Sequence, residues 1–246
     1  MKKLAVLFLG SVLTLTSIQS VKADILANWT FENLATNLSY APGANIGTTN
    51  FFAELGTQAG IAAAVGLHAT AATYSDPAGN GSLRSLSANN WSQNDYFQFS
   101  VTLDLINFAY SGINVSYAQN GSASGPKNYF ISYSTDGSSF TKFGSDYGLA
   151  SGITWNNTTT GQATLLSDDF SSITALNTAS TVFFRVVDDS VTTGGAINGG
   201  NVGTAGTGRI DDFIINATVT PVPEPASLAL VAVGGAACLV AFRRRR

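Results

Sequence analysis

Apolar and polar residues alternate with a period of two through much of the chain, which predicts strands rather than helices. Over residues 25–32, Ile25, Ala27, Trp29 and Phe31 share one face, and Asn28, Thr30 and Glu32 share the other. Phe97, Phe99, Val101 and Leu103 line a second strand opposite Gln98, Ser100 and Thr102. Ile113, Val115 and Tyr117 alternate with Asn114 and Ser116; Tyr129, Ile131 and Tyr133 alternate with Phe130 and Ser132. Residues 181–187 are apolar on both faces except at Arg185, the pattern of a central strand. Phe213, Ile215, Ala217 and Val219 line the last strand. Asp136-Gly137 predicts a hairpin turn, because this pair accepts positive φ. Residues 194–208 are nearly all Gly, Ala, Asn and Thr and predict a long surface loop. The one short helix the pattern allows is at 61–65. The expected fold is therefore all-β, an antiparallel sandwich with a jelly roll as the favoured version, over residues 24–220.

The two ends depart from this pattern. Residues 1–23 have the make-up of a secretory signal peptide. Lys2 and Lys3 precede an apolar stretch, and Val21-Lys22-Ala23 places small residues where signal peptidase reads. Cleavage after Ala23 would make Asp24 the first residue. An uncleaved anchor is the alternative, but the apolar stretch is short against the roughly 20 residues of a span. At the other end, Pro221-Val222-Pro223-Glu224-Pro225 leads into an uncharged, mostly apolar run at 226–242, closed by Arg243, Arg244, Arg245 and Arg246. Seventeen residues at about 1.5 Å each reach about 25 Å, the short end of what crosses a bilayer. Arginines are costly to translocate, so the tail is expected to stay cytoplasmic and the β domain to lie outside.

Val222-Pro223-Glu224-Pro225, an apolar helix and a terminal arginine cluster, in that order, resemble the PEP-CTERM sorting signal. The resemblance covers residues 221–246. It implies a Gram-negative host and an inner-membrane exosortase as processing partner. It also implies cleavage near the Pro-Glu-Pro motif and delivery to the cell surface or exopolysaccharide matrix. A plain tail anchor with a proline-rich stem is the competing explanation. A softer resemblance lies in the middle of the chain. Asp76-Pro77-Ala78-Gly79-Asn80-Gly81-Ser82, Asn90-Trp91 and Asp95-Tyr96-Phe97 are similar to segments of exported PEP-CTERM proteins. Gly208-Arg209-Ile210-Asp211-Asp212-Phe213 is similar to the final strand of galactose-binding-like and laminin-G-like sandwiches. Those folds mostly bind glycans or proteins, which assigns no activity here.

Charge sharpens the picture. Of 12 basic residues, three precede residue 24 and four end the chain, leaving Arg84, Lys127, Lys142, Arg185 and Arg209 in the domain. All acidic residues but Glu224 lie there, so the domain carries a net charge near −9. That argues against nucleic-acid binding, which needs basic patches facing phosphate. One His and one Cys exclude a His/Cys zinc cluster and a disulfide framework. Cys238 lies in the apolar run, so the processed domain would have no thiol and must stand on its core.

Catalytic chemistry finds little purchase. A Ser-His-Asp triad could use only His68, which has no nucleophile elbow near it. Glycoside hydrolysis needs two facing carboxyls, and nothing in the spacing pairs any two. Calcium, which takes carboxylate and carbonyl oxygens, is the best inorganic candidate. In galactose-binding-like sandwiches a structural calcium sits where first and last strands end together, which that resemblance maps onto Glu32, Asp211 and Asp212. Arg209 pairing with one of those aspartates is the plainer alternative. Trp29 belongs to a core face, whereas Trp91 and Trp155 sit among polar turn residues and are candidate glycan-stacking platforms. The expectation is a non-enzymatic, exported surface or matrix protein that contacts polysaccharide. The alternatives are a secreted polysaccharide hydrolase and a permanently membrane-anchored envelope protein.

Overall fold

The computed structural model describes residues 22–32, 51–65 and 74–222. The apolar stretch of the signal peptide, His68, Pro223 to Pro225, the 226–242 run and the arginine tail lie outside the described residues. Among the described residues no helix is long and apolar enough to cross a membrane.

The described residues form twelve strands in two antiparallel six-stranded sheets. They are β1 (Lys22–Trp29), β2 (Phe51–Phe52), β3 (Gly60–Val65), β4 (Tyr74–Ser75), β5 (Leu86–Ala88) and β6 (Tyr96–Thr102). The second half holds β7 (Phe108–Gly121), β8 (Asn128–Ser134), β9 (Thr141–Gly148), β10 (Leu165–Asp169), β11 (Thr181–Asp188) and β12 (Gly208–Pro221). The first sheet runs β10-β7-β12-β5-β4, with β1 also paired to β12. The second runs β2-β3-β6-β11-β8-β9, so β11 is central as its two-faced apolar pattern predicts.

β12 organises the first sheet. Along one edge it pairs with β7 throughout. Along the other it pairs first with β5 through Gly208–Ile210, then with β1 through Phe213–Val219. The change of partner falls at a bulge: Asp211 faces Ala118 and Ile214 faces Ser116, leaving one residue extra on β12. Asp212 takes φ +46° there, a left-handed conformation that Asp tolerates better than most residues.

The sheets meet through aromatic rings. Phe213 of β12 stacks on Phe99 of β6 with centroids 3.5 Å apart and planes 2° from parallel. Trp29 meets both edge-on at 5.1 and 5.9 Å, and Tyr117 lies 5.4 Å from Phe213. All four are essentially buried, and each aromatic pair adds about 0.5–1.5 kcal/mol beyond its buried area.

Two local expectations need correction. Residues 61–65 are strand, not helix: β3 pairs with β6 from Gly60 to Val65, and that ladder overrides the helical propensity of three alanines. Ile25 is 42% exposed rather than core, because the register of β1 against β12 shifts between Ile25 and Ala27. The fully buried Leu26 sits at that irregularity, and Ala27, Trp29 and Phe31 still point inward. The hairpin at Asp136-Gly137 joins β8 to β9, with Gly137 at φ +72°.

Replacing Phe213 with Ala should lower unfolding free energy by about 3–5 kcal/mol, the usual cost of emptying an aromatic site in a core. Urea denaturation followed by tryptophan fluorescence measures it. A loss below about 1 kcal/mol would show that the Phe99–Phe213 stack does not hold the sheets.

Candidate functional site

The bulge at Asp211-Asp212 collects the acidic chemistry of the domain. Ile210 and Phe213 are both fully buried, and between them the extra residue turns the two aspartates to different neighbours. Asp211 is fully buried against the turn at 79–82. Its Oδ2 accepts the Asn80 N–H at 2.8 Å and lies 2.7 Å from Ser82 Oγ, while its Oδ1 accepts the Asp212 N–H at 2.9 Å. A Cβ on Gly79 would fall 2.3 Å from Asp211 Oδ2, so only glycine lets the turn come this close.

Burial raises the Asp211 pKa to about 7 against the pull of its hydrogen bonds to Ser82 and Asn80. A neutral Asp211 is well served here. It can donate to Ser82 Oγ, whose own hydrogen then reaches the Arg84 carbonyl at 3.0 Å. Asp188, at the end of β11, is similar: burial raises it to about 7, with Asp95 and Asp189 adding repulsion. The Ser190 N–H donates to Asp188 Oδ1 at 2.8 Å, whereas Oδ2 is buried without a partner.

Asp212 faces the other way. It is half-buried, and its pKa is raised by burial and then by the carboxylates of Glu32 and Glu54. Glu32 Oε1 accepts the Arg84 N–H at 2.9 Å. Glu54 accepts from the Thr30 hydroxyl. Arg84 itself pairs with Asp76 at the surface. Of the three residues expected to hold calcium, Glu32 and Asp212 share one corner, and Asp211 is committed to the 79–82 turn. Among the described residues no three His, Cys, Asp or Glu side chains gather as a metal-holding group. A fit for calcium therefore needs backbone carbonyls beside the carboxylates, donors that this ion accepts and that zinc does not favour.

The two tryptophans expected as stacking platforms are buried instead. Trp91 is 6% exposed, donates to the Ala88 carbonyl at 2.7 Å, and packs edge-on against Phe97 and Tyr129. Trp155 is 5% exposed and donates to Thr164 Oγ1 at 3.1 Å. Their polar neighbours in sequence lie in loops: Trp91 anchors its loop in the core, and Trp155 ties its own to Thr164. Nor does Arg209 pair with either aspartate of the bulge.

Sequence reasoning also missed a clamp on the outer face of the second sheet. The Arg185 guanidinium lies 3.9 Å from the Tyr96 ring centroid and 3.4 Å from that of Phe140, and its Nε donates to Gln98 Oε1 at 2.9 Å. A lone arginine at an outward position of an apolar strand was the available signal.

The segment after β12 is decided by comparison with known families. Residues 221–246 match the family described as the PEP-CTERM protein-sorting motif. The chain ends in a PEP-CTERM sorting motif. It thereby carries the mark of an exported protein sorted by an exosortase. No curated protein matches the chain. Among solved structures, TmCBM61 in complex with β-1,4-galactotriose is similar at 15% identity and TM-score 0.30, over 54% of this chain and 70% of that one. The K2 cleaved adhesin domain of Lys-gingipain is similar at 14% identity and TM-score 0.36, over 78% and 98%. Neither likeness bears on what this chain binds.

The buried aspartates set the pH response. Unfolded, both ionise near pH 4; folded, near 7. Between those values the folded state holds the extra protons, so stability falls as pH rises from about 4 to about 7 and levels off above. Asp188→Asn should flatten this slope by on the order of 1–3 kcal/mol. Chemical denaturation at pH 5, 6, 7 and 8 reads it out; a slope unchanged in the variant would mean that Asp188 stays ionised in the fold.

Proposed function

We propose that this chain is a non-enzymatic component of the cell surface or extracellular matrix of a Gram-negative bacterium, one that contacts polysaccharide. The observation that carries this reading is the PEP-CTERM motif at 221–246, which begins where β12 ends. The precursor is held in the inner membrane by the apolar run at 226–242, with Arg243 to Arg246 inside and the sandwich outside. An exosortase then cuts near Pro223-Glu224-Pro225 and frees the sandwich.

Several features support a binding rather than a catalytic role. The raised carboxyls belong to structure: Asp211 braces a turn, and Asp188 sits at the end of a strand. The loops that cap the sandwich are rich in amide and hydroxyl side chains, which suit sugar hydroxyls. Calcium is the ion we assign to the corner of Glu32 and Asp212, where it would relieve the repulsion raised by Glu54. Its role there would be to fix β1 against β12, not to react.

Mass spectrometry of the mature protein should find a C-terminus at or near Pro223–Pro225 and no arginine tail; an intact Arg246 would refute processing. A thermal melt of the protein with about 1 mM calcium should run a few degrees above the same melt in chelator, as for any ligand that binds only the folded state. Coincident midpoints would remove calcium from the account.

A further inference from the structure

Arg209 is a half-buried cation without a counterion. It lies on β12 between Asn120 of β7 and Ser87 of β5, in register with both. Its Nε is buried with no hydrogen-bond partner. Burial alone lowers its pKa; no neighbouring charge contributes. Among the described residues no carboxylate pairs with it, although the domain holds fourteen acids against five bases. Beside it, Ser87 is fully buried and its hydroxyl is likewise without a partner. A guanidinium that is partly desolvated, with one N–H buried and unpaired, costs free energy unless something answers it.

The surroundings say what could answer it. Arg209 lines a pocket of about 300 Å³ at the loop end of the first sheet, with Asn120, Ser122, Ser151, Thr154 and Asn198. Every polar side chain there except Arg209 is a neutral amide or hydroxyl, and no acid or aromatic ring lines it. Asn120 is held in place, its Nδ2 donating to the Ile153 carbonyl at 3.2 Å and its Oδ1 accepting the Gly121 N–H at 2.8 Å. Gly152 borders open space at the mouth, whereas Gly121 packs against Ile197 and the Thr207 carbonyl. A single fixed positive charge ringed by hydroxyl and amide groups suits a small polyol bearing one carboxylate.

We propose that this pocket binds a hexuronate unit of an acidic polysaccharide, with the Arg209 fork taking the carboxylate and the loop amides and hydroxyls taking the ring. The guanidinium plane matches a carboxylate with two parallel hydrogen bonds, which a lysine ammonium cannot reproduce. The inference rests on the polysaccharide-contacting role proposed above, and it names the sugar class that role would select.

Calorimetric titration of the mature protein with D-glucuronate and D-galacturonate, and with glucose and galactose as neutral controls, tests it. A hexuronate should bind at least about tenfold more tightly than its neutral hexose. Arg209→Met should erase that difference while leaving the ligand-free melting temperature equal or higher, because an unanswered charge has gone. Arg209→Lys should weaken hexuronate binding about tenfold, and it serves as the reporter if the methionine variant fails to fold. Equal affinity for hexose and hexuronate, full binding by either variant, equal binding of plain acetate, or no binding at all would overturn the proposal. Retention of the protein on matrix polysaccharide separates the two claims. If Arg209→Met is retained as well as wild type, the broader role stands and the hexuronate pocket falls. If the free hexuronate binds but matrix polysaccharide does not retain the protein, the pocket stands and the broader role falls.

Discussion

Everything in the sandwich leans on β12, because one strand must satisfy three neighbours while holding the second sheet through Phe213. Its backbone donors and acceptors serve β7 on one edge and β5 then β1 on the other. A strand cannot change partners along one edge without a break in register. The Asp211-Asp212 bulge supplies that break, just before the residue that stacks on Phe99. β7, equally long, bends in concert: a second shift lies opposite Asn216 and Thr218, where Gly112 takes φ +62°. The acids at the bulge follow from this geometry. One is driven inward against the 79–82 turn and the other is left facing Glu32 and Glu54.

With no thiol in the sandwich, stability has to come from shape and burial. The aromatic cluster of Trp29, Phe99, Tyr117 and Phe213 fixes how the sheets cross, and the loops are then tied down by single polar side chains. Asp211 holds the 79–82 turn, Asn80 accepts the Gly161 N–H at 2.7 Å, and Ser190 Oγ accepts the Lys127 and Asn128 N–H groups. Such ties cost less surface charge than ion pairs would. They leave an exterior of Asn, Ser, Thr and Gly, and that is why a half-buried, unanswered arginine stands out against it.

Period-two alternation carried most of the strands because it depends only on which face meets the core. It placed the inward rows of β6, β7 and β12 correctly, and it marked β11 as central by its two apolar faces. It failed where the register breaks. Ile25 carries the same parity as Trp29, and nothing local announces the shift near Leu26 that turns Ile25 outward. The alanines of β3 look helical in isolation, and only their ladder with β6 makes them strand. The candidate site was legible in part. Asp211-Asp212 and Glu32 stood out as acids at strand ends, but two adjacent aspartates reveal nothing of which one the bulge buries. Trp91 and Trp155 misled because polar neighbours in sequence are compatible with a ring that points the other way. Arg209 could not be singled out at all, because the lack of a partner is a property of three-dimensional neighbours.

The strand order also bears on how the chain is processed. Lys22 of β1 lies beside Val219 of β12, so the chain enters and leaves the sandwich at the same end. Ends at opposite poles would instead force one connection to run the length of the fold. At the C-terminal side the ladder runs to Pro221, which faces Phe108, and the Val222 N–H still donates to the Asn107 carbonyl at 2.8 Å. Every strand of the described sandwich therefore closes before Pro223. The cut proposed above, within Pro223-Glu224-Pro225, would remove no residue of the described sheets. The described sandwich is thus complete without any residue beyond Val222.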